Sequence, residues 1–143
     1  MSVRQVSVFL ENKAGRLAEV SKLLGAAGIN IRALSVADTS DYGILRLIVD
    51  DPAKAVEALV RQGFSASETE VIAVEVPDKP GGLGYVLEVL EVKGVNVEYM
   101  YAFVAKASED ALVIFRVGTP EEARQVLREA GINVIPAEKL YTL

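Results

Sequence analysis

Asn12-Lys13-Ala14-Gly15-Arg16-Leu17 returns later in the chain as Asp78-Lys79-Pro80-Gly81-Gly82-Leu83. Each run is followed by an apolar helical stripe and then by a second motif, which is Gly28-Ile29-Asn30-Ile31 in the first case and Gly94-Val95-Asn96-Val97 in the second. Both motifs are displaced by the same 66 residues, since 81 − 15 equals 96 − 30. A constant offset indicates an internal duplication, which sets the unit of folding and predicts that any site occurs in pairs.

The residues around these motifs predict the same six elements in each half. Apolar residues alternate over Val6–Leu10, as in a strand, and Leu17, Val20 and Leu24 then recur at helical spacing. Two strands, a helix opened by Asp51-Pro52 and a short strand near Phe64 follow. The order βαββαβ makes a four-stranded antiparallel sheet with two helices on one face. The predicted fold class is therefore α+β, with two tandem ferredoxin-like modules at residues 1–70 and 71–143.

The central strands are apolar on both faces, which is unusual for an antiparallel sheet with one face in water. Ile44–Val49 and Leu112–Val117 are nearly continuous hydrophobic runs. Either the sister module or another copy of the chain must cover the second face. No Gly-, Ser- or Pro-rich linker separates the halves, so we expect the modules to stay close together, and we expect a homodimer.

Composition excludes several classes of function. The net charge is −5 and Lys and Arg are scattered, which argues against nucleic acid or an anionic membrane as a partner. There is no cysteine and no histidine, so the commonest metal ligands and the commonest general base are missing. We expect no cofactor and no metal. Without a signal peptide or an apolar run of bilayer length, we expect a cytoplasmic protein.

The duplicated turn has two interpretations. Asn12 and Asp78 stand just before a predicted helix, where a short polar side chain accepts from the free N–H groups of the first turn. Such a helix start also attracts a carboxylate, and Gly15 and Gly81 would let a ligand approach the backbone. Simple capping therefore competes with ligand binding at both turns.

These motifs resemble the ACT domain, a small-molecule-sensing module attached to many enzymes of amino-acid metabolism. The resemblance rests on the βαββαβ order, the D/N-x-x-G-x-L turn and the Gly-(Ile/Val)-Asn-(Ile/Val) motif, and it covers the whole chain as two copies. Since we expect no attached catalytic domain, the chain resembles the small free-standing tandem ACT proteins. The resemblance implies binding of a free amino acid, or a carboxylate analogue, where two such domains meet.

The resemblance also implies which residues bind the ligand. In this chain they are Asn12, Ala14, Gly15, Arg16, Leu17, Asn30 and Ile31 in the first module, and Asp78, Gly81, Gly82, Leu83 and Asn96 in the second. The two sites differ, because Arg16 offers a cation and its counterpart is Gly82, while Asp78 would repel a carboxylate. The first module is therefore the better candidate for binding a carboxylate.

The predicted function is that of a non-catalytic regulatory protein, which acts on a separate enzyme or transporter of amino-acid metabolism. A ligand-free scaffold or accessory subunit is the main alternative, since apolar sheet faces alone would explain much of the chain. A small enzyme is a weaker one. Glu11, Lys13, Asp78 and Lys79 are potential acids and bases, but no nucleophile–base pair or phosphate loop has a recognisable spacing.

Overall fold

The computed structural model describes residues 2–38, 40–103 and 110–142. The chain forms two compact units. The first is Arg4–Thr69, and the second contains the chain from Glu70 onward together with the residues before Arg4. The elements in chain order are β1 (Val3–Glu11), α1 (Arg16–Ala26), β2 (Ile31–Asp38), β3 (Tyr42–Val49), α2 (Pro52–Arg61), β4 (Ser65–Val76), α3 (Gly82–Val92), β5 (Val97–Ala102), β6 (Ala111–Val117), α4 (Pro120–Glu129), β7 (Val134–Ile135) and α5 (Ala137–Leu140).

The first unit is a sheet in the order β2-β3-β1-β4 with two helices packed on one face. Alternation in β1 turns Val6, Val8 and Leu10 toward the helices, where all three are buried. Leu24 of α1 and Leu59 of α2 complete this core. The spacing that predicted the first helix therefore places Val20 and Leu24 on the sheet, whereas Leu17 of the same predicted stripe is 47% exposed.

The second unit repeats this arrangement with the end of β4, followed by β6 and β5, and with β7 paired to β4. Its core contains Val74, Leu90, Phe115 and Leu127, all buried. The pairings β1–β3, β2–β3, β4–β6, β5–β6 and β4–β7 are antiparallel. The predicted α+β class with two ferredoxin-like modules is confirmed.

β4 is one continuous strand of 12 residues that serves both units. This agrees with the missing linker, because the last strand of the first repeat runs directly into the first strand of the second. On the second face of the sheets, Ile48, Leu112 and Ile114 are buried. Their apolar pattern therefore does not by itself require another copy of the protein.

Candidate functional site

The turn between β1 and α1 ends in a left-handed glycine. Gly15 is the N-cap of α1 with φ 90°, and Gly81 is the N-cap of α3 with φ 83°. Neither helix has a side-chain cap at this position, because glycine has no side chain to offer. Asn12 and Asp78 lie three residues earlier, so the expectation that they occupy the cap was wrong. The helix start is thus left without the cap that usually fills it.

Asn12 fixes the turn against the β2–β3 connection. Its backbone N–H donates to the Asp41 carbonyl at 2.8 Å, and its side-chain Nδ2 donates to the Ser40 carbonyl at 3.4 Å. The second bond is long, and the side chain is exposed. The backbone and the side chain of Asn12 thus both tie the turn to the β2–β3 connection.

Four charged side chains surround the turn. Glu11 accepts from Lys13 at 3.1 Å and from Arg16 at 2.9 Å, and Arg16 also contacts Glu19 at 3.0 Å. The hydrogen bond and charge of Lys13, and then those of Arg16, hold the pKa of Glu11 below its ordinary value of 4.5. Hydrogen bonds from Arg16 to Glu19 and then to Glu11 raise the pKa of the guanidinium. Since Arg16 already donates to Glu11 and Glu19, a bound carboxylate would compete with these two side chains for the guanidinium.

A cavity of about 160 Å³ adjoins this turn. Asn12, Arg16 and Leu17, which are among the residues predicted to bind a ligand, line it, and so do Val36 of β2 and Leu45 of β3. Leu10, Glu11, Lys13 and Gly43 complete the lining. Asn12, Lys13 and Arg16 thus make the side of the turn polar, while Val36 and Leu45 make the side of the sheet apolar.

Asn30 is not part of this cavity. Its N–H donates to Asp50 Oδ1 at 3.1 Å, and its carbonyl accepts from the Asp50 N–H at 3.3 Å. Ile31, at the start of β2, pairs with Val49, whereas the Asn12 turn lies beyond Glu11, which pairs with Tyr42. β2 has eight residues, so its ends are roughly 25 Å apart at about 3.3 Å per residue. One module therefore cannot bring Asn12 and Asn30 to the same ligand.

The second turn is more crowded than the first. A Cβ atom built on Gly82 would lie 1.9 Å from the Pro77 carbonyl oxygen, so no side chain fits where the first turn carries Arg16. Asp78, Gly81, Leu83 and Asn96 are all exposed. Asn96 lies just before β5. Because β5 and β4 both pair with β6, Asn96 and Asp78 lie at opposite ends of this sheet, as Asn30 and Asn12 do in the first module.

Sequence reasoning missed the contributions of β2 and β3 to the cavity. Val36 and Leu45 carry no motif, and only the register of β2 on β3 brings them to the turn. The sequence predicts Glu11 only as a potential acid or base, although its place five residues before Arg16 also suggests the ion pair. Over residues 2–38, 40–103 and 110–142, no cluster of three or more acidic side chains is arranged to hold a metal. None of the helices within those ranges is long and apolar enough to cross a membrane.

A family model described as an ACT domain pair matches residues 1–143. The chain belongs to the ACT domain pair family. The resemblance seen in the duplicated turns is thereby confirmed over the whole length.

Two known proteins similar to this ACT pair are a solved structure and an enzyme subunit. The solved structure of protein BT0572 from Bacteroides thetaiotaomicron is 42% identical, with a TM-score of 0.93, and the match covers 100% of this chain and 98% of that one. The acetolactate synthase small subunit of Mycolicibacterium smegmatis is 28% identical over 134 residues, which are 86% of this chain and 78% of the relative.

A more distant structure, the ligand-free regulatory subunit of aspartate kinase from Thermus thermophilus, is 18% identical with a TM-score of 0.66 over 91% of this chain and 93% of that one. At that identity the likeness shows the fold alone. The regulatory class of function predicted for the chain is supported by its membership of the ACT domain pair family. The absence of an activity of its own stays a prediction.

Proposed function

We propose that this ACT pair binds a free amino acid, or a close carboxylate analogue, at the Asn12–Leu17 turn of the first module. The observation that supports the proposal is the cavity beside an uncapped helix start, with polar groups on one side and Val36 and Leu45 on the other. The carboxylate is placed at the N–H groups and positive dipole of α1. Asn12 supplies an amide, and Arg16 turns from Glu11 toward the ligand.

The cavity is half of a site. Its volume of about 160 Å³ is below the roughly 300–1,000 Å³ of a typical ligand pocket. β2 is an edge strand of its sheet, and it exposes Leu34 and Val36. Antiparallel pairing of two β2 strands about a twofold axis would bring Asn30 of a second copy beside the turn, because Asn30 and the turn lie at opposite ends of β2. We therefore propose a homodimer with the ligand at its interface.

Regulation follows from this placement of the ligand. A ligand held between two copies favours the arrangement that closes around it, and it shifts that equilibrium only by its difference in affinity for the two arrangements. The relative from Mycolicibacterium smegmatis is named as a synthase small subunit. We accordingly propose that the chain acts in the cytoplasm, as a subunit that transmits amino-acid binding to a separate enzyme or transporter of amino-acid metabolism.

The test is isothermal titration calorimetry of the intact protein against a panel of free amino acids. Asn12→Ala removes a hydrogen bond to a charged group, worth about 1.5–3 kcal/mol, so affinity should fall about 10- to 100-fold. Asn133→Ala is the matched control, since Asn133 is exposed and its backbone carbonyl, rather than its side chain, accepts from Glu75. Far-UV circular dichroism of both variants should match that of the unaltered protein.

Two results would contradict this proposal. If Asn12→Ala binds the ligand as tightly as the unaltered protein, the turn is not the site. If no amino acid binds at all, the accessory-subunit alternative remains, because the named relative is a small subunit and this role needs no ligand.

A further inference from the structure

Helix α3 has an apolar outer face that the matching helix of the first repeat lacks. Val92 is 73% exposed and Tyr85 is 50% exposed. At the same offset of 66 residues, α1 has Ala26 and Glu19. The two helices occupy the same position in their repeats and pack on the sheet in the same way. The fold therefore does not explain why α3 carries exposed apolar side chains where α1 has Ala26 and Glu19. An exposed apolar patch on one repeat only is typical of a binding surface.

These side chains border an open groove of about 390 Å³ between α3 and α4, which pack side by side. Val89 and Val126 form its floor, where both are partly buried against the core of the unit. The rest of the lining is Tyr85, Glu88, Val92, Lys93, Glu129 and Ala130. We call this surface the α3–α4 groove.

The border of the α3–α4 groove is acidic. Glu88 and Glu129 both line it, against the single cation of Lys93. Glu129 accepts from the neutral amide of Gln125 at 3.2 Å, and within the described ranges neither carboxylate has an ion pair. Two carboxylates beside an apolar floor favour an occupant that is apolar in the middle and positively charged at its edges.

We propose that the α3–α4 groove binds an amphipathic helix of the regulated partner protein, with Lys or Arg on both sides of its apolar stripe. A groove between two packed helices fits the ridge of side chains on a third helix. Apolar anchors at i, i+3, i+4 and i+7 are the usual means of such recognition. That the partner is the regulated protein rests on the proposed function. Binding of a cationic amphipathic helix rests on the α3–α4 groove alone.

The test uses two designed 18-residue helical peptides with the same leucine stripe, one flanked by lysines and the other by glutamates. Fluorescence anisotropy with the intact protein should show at least about 10-fold tighter binding of the lysine peptide. Val92→Glu should weaken that binding at least about 10-fold by removing an apolar contact. This variant is decisive, because it adds a negative charge, and attraction by charge alone would strengthen binding of a cationic peptide.

Ala26→Glu is the matched control, since it adds the same charge at the equivalent exposed position of α1. It should change affinity for the lysine peptide less than about 2-fold. Thermal unfolding of both variants establishes that they are folded, which their exposed positions lead us to expect.

Three results would overturn the groove proposal. The first is equal binding of the two peptides, and the second is undiminished binding of the lysine peptide by Val92→Glu. The third is loss of a dimer in Val92→Glu, measured by sedimentation, because it would show that this face is a contact between copies. Amino-acid titration of the unaltered protein and of Val92→Glu separates the two proposals. A protein that binds the lysine peptide through the groove but binds no amino acid would refute the proposed ligand and leave the groove in place.

Discussion

Gly82 is the residue at which the two duplicated turns differ most sharply in their steric surroundings. It is buried, and a Cβ atom there would come within 1.9 Å of the Pro77 carbonyl oxygen. This contact is with backbone, which cannot rotate away as a flexible side chain would. The second turn therefore excludes any counterpart of Arg16, and the asymmetry between the turns has a steric cause.

Gly82→Ala should lower the free energy of unfolding by about 3 kcal/mol, because the methyl group forces the Pro77–Gly82 turn apart. Gly84→Ala is the matched control two residues later in α3, where nothing lies within 4 Å of the added methyl. That substitution should be neutral or stabilise the protein by up to about 1 kcal/mol, since alanine favours a helix more than glycine does. Urea denaturation measures both, and equal stability of the two variants would refute the steric argument.

Glu11 offers a test of the charges around the first turn. Lys13, and to a smaller extent Arg16, lowers the pKa of Glu11 in the folded protein. The ion pairs therefore stabilise the turn at pH values above the ordinary pKa of 4.5. This stabilisation is lost as the pH falls through the lowered pKa of Glu11. Carbon-13 NMR titration should place the Glu11 pKa below 4.5. Lys13→Met should raise it, since Lys13 is the largest cause. A Glu11 that titrates at or above 4.5 in the unaltered protein would contradict the ion pairs.

At the scale of elements, local pattern was sufficient for the repeat and for the helix faces. Val6, Val8 and Leu10 alternate, and Leu24 and Leu59 lie on helical stripes, so their burial follows from periodicity alone. The same rules failed at the start of α1. A polar residue before a helix usually caps it, but Gly15 with φ 90° takes the cap position and displaces Asn12 from it.

The candidate site was predicted only in part, because it combines local and non-local residues. Asn12, Arg16 and Leu17 are close in sequence and line one cavity, as expected. Val36 joins them through the register of β2 on β3, which no motif encodes. The strand order places β3 between β1 and β2, which both run antiparallel to it, and so sets Asn30 at the far end of the module from Asn12. The motifs therefore predicted Asn12 and Asn30 as one set, although the strand register holds them apart within one module.

For the whole molecule, the exposed edge of β2 provides the argument for a dimer. Leu34 and Val36 are 48% and 45% exposed on that edge, and Leu17 of α1 is 47% exposed. An edge strand with exposed apolar side chains pairs readily with another chain unless a charge prevents it. The buried second face of the sheets supplies no such argument, so the dimer prediction depends on β2.

Sedimentation equilibrium should therefore give twice the chain mass of 15.3 kDa for the unaltered protein. Leu34→Lys should give a monomer, since it places a charge in the middle of the proposed seam without lining the cavity. Val60→Lys is the matched control, because Val60 is 53% exposed on α2, away from β2. Amino-acid affinity should fall with the dimer in Leu34→Lys, because Asn30 would then be too far from Asn12 to contact the same ligand. A monomeric Leu34→Lys that binds the amino acid with full affinity would locate the entire site within one copy.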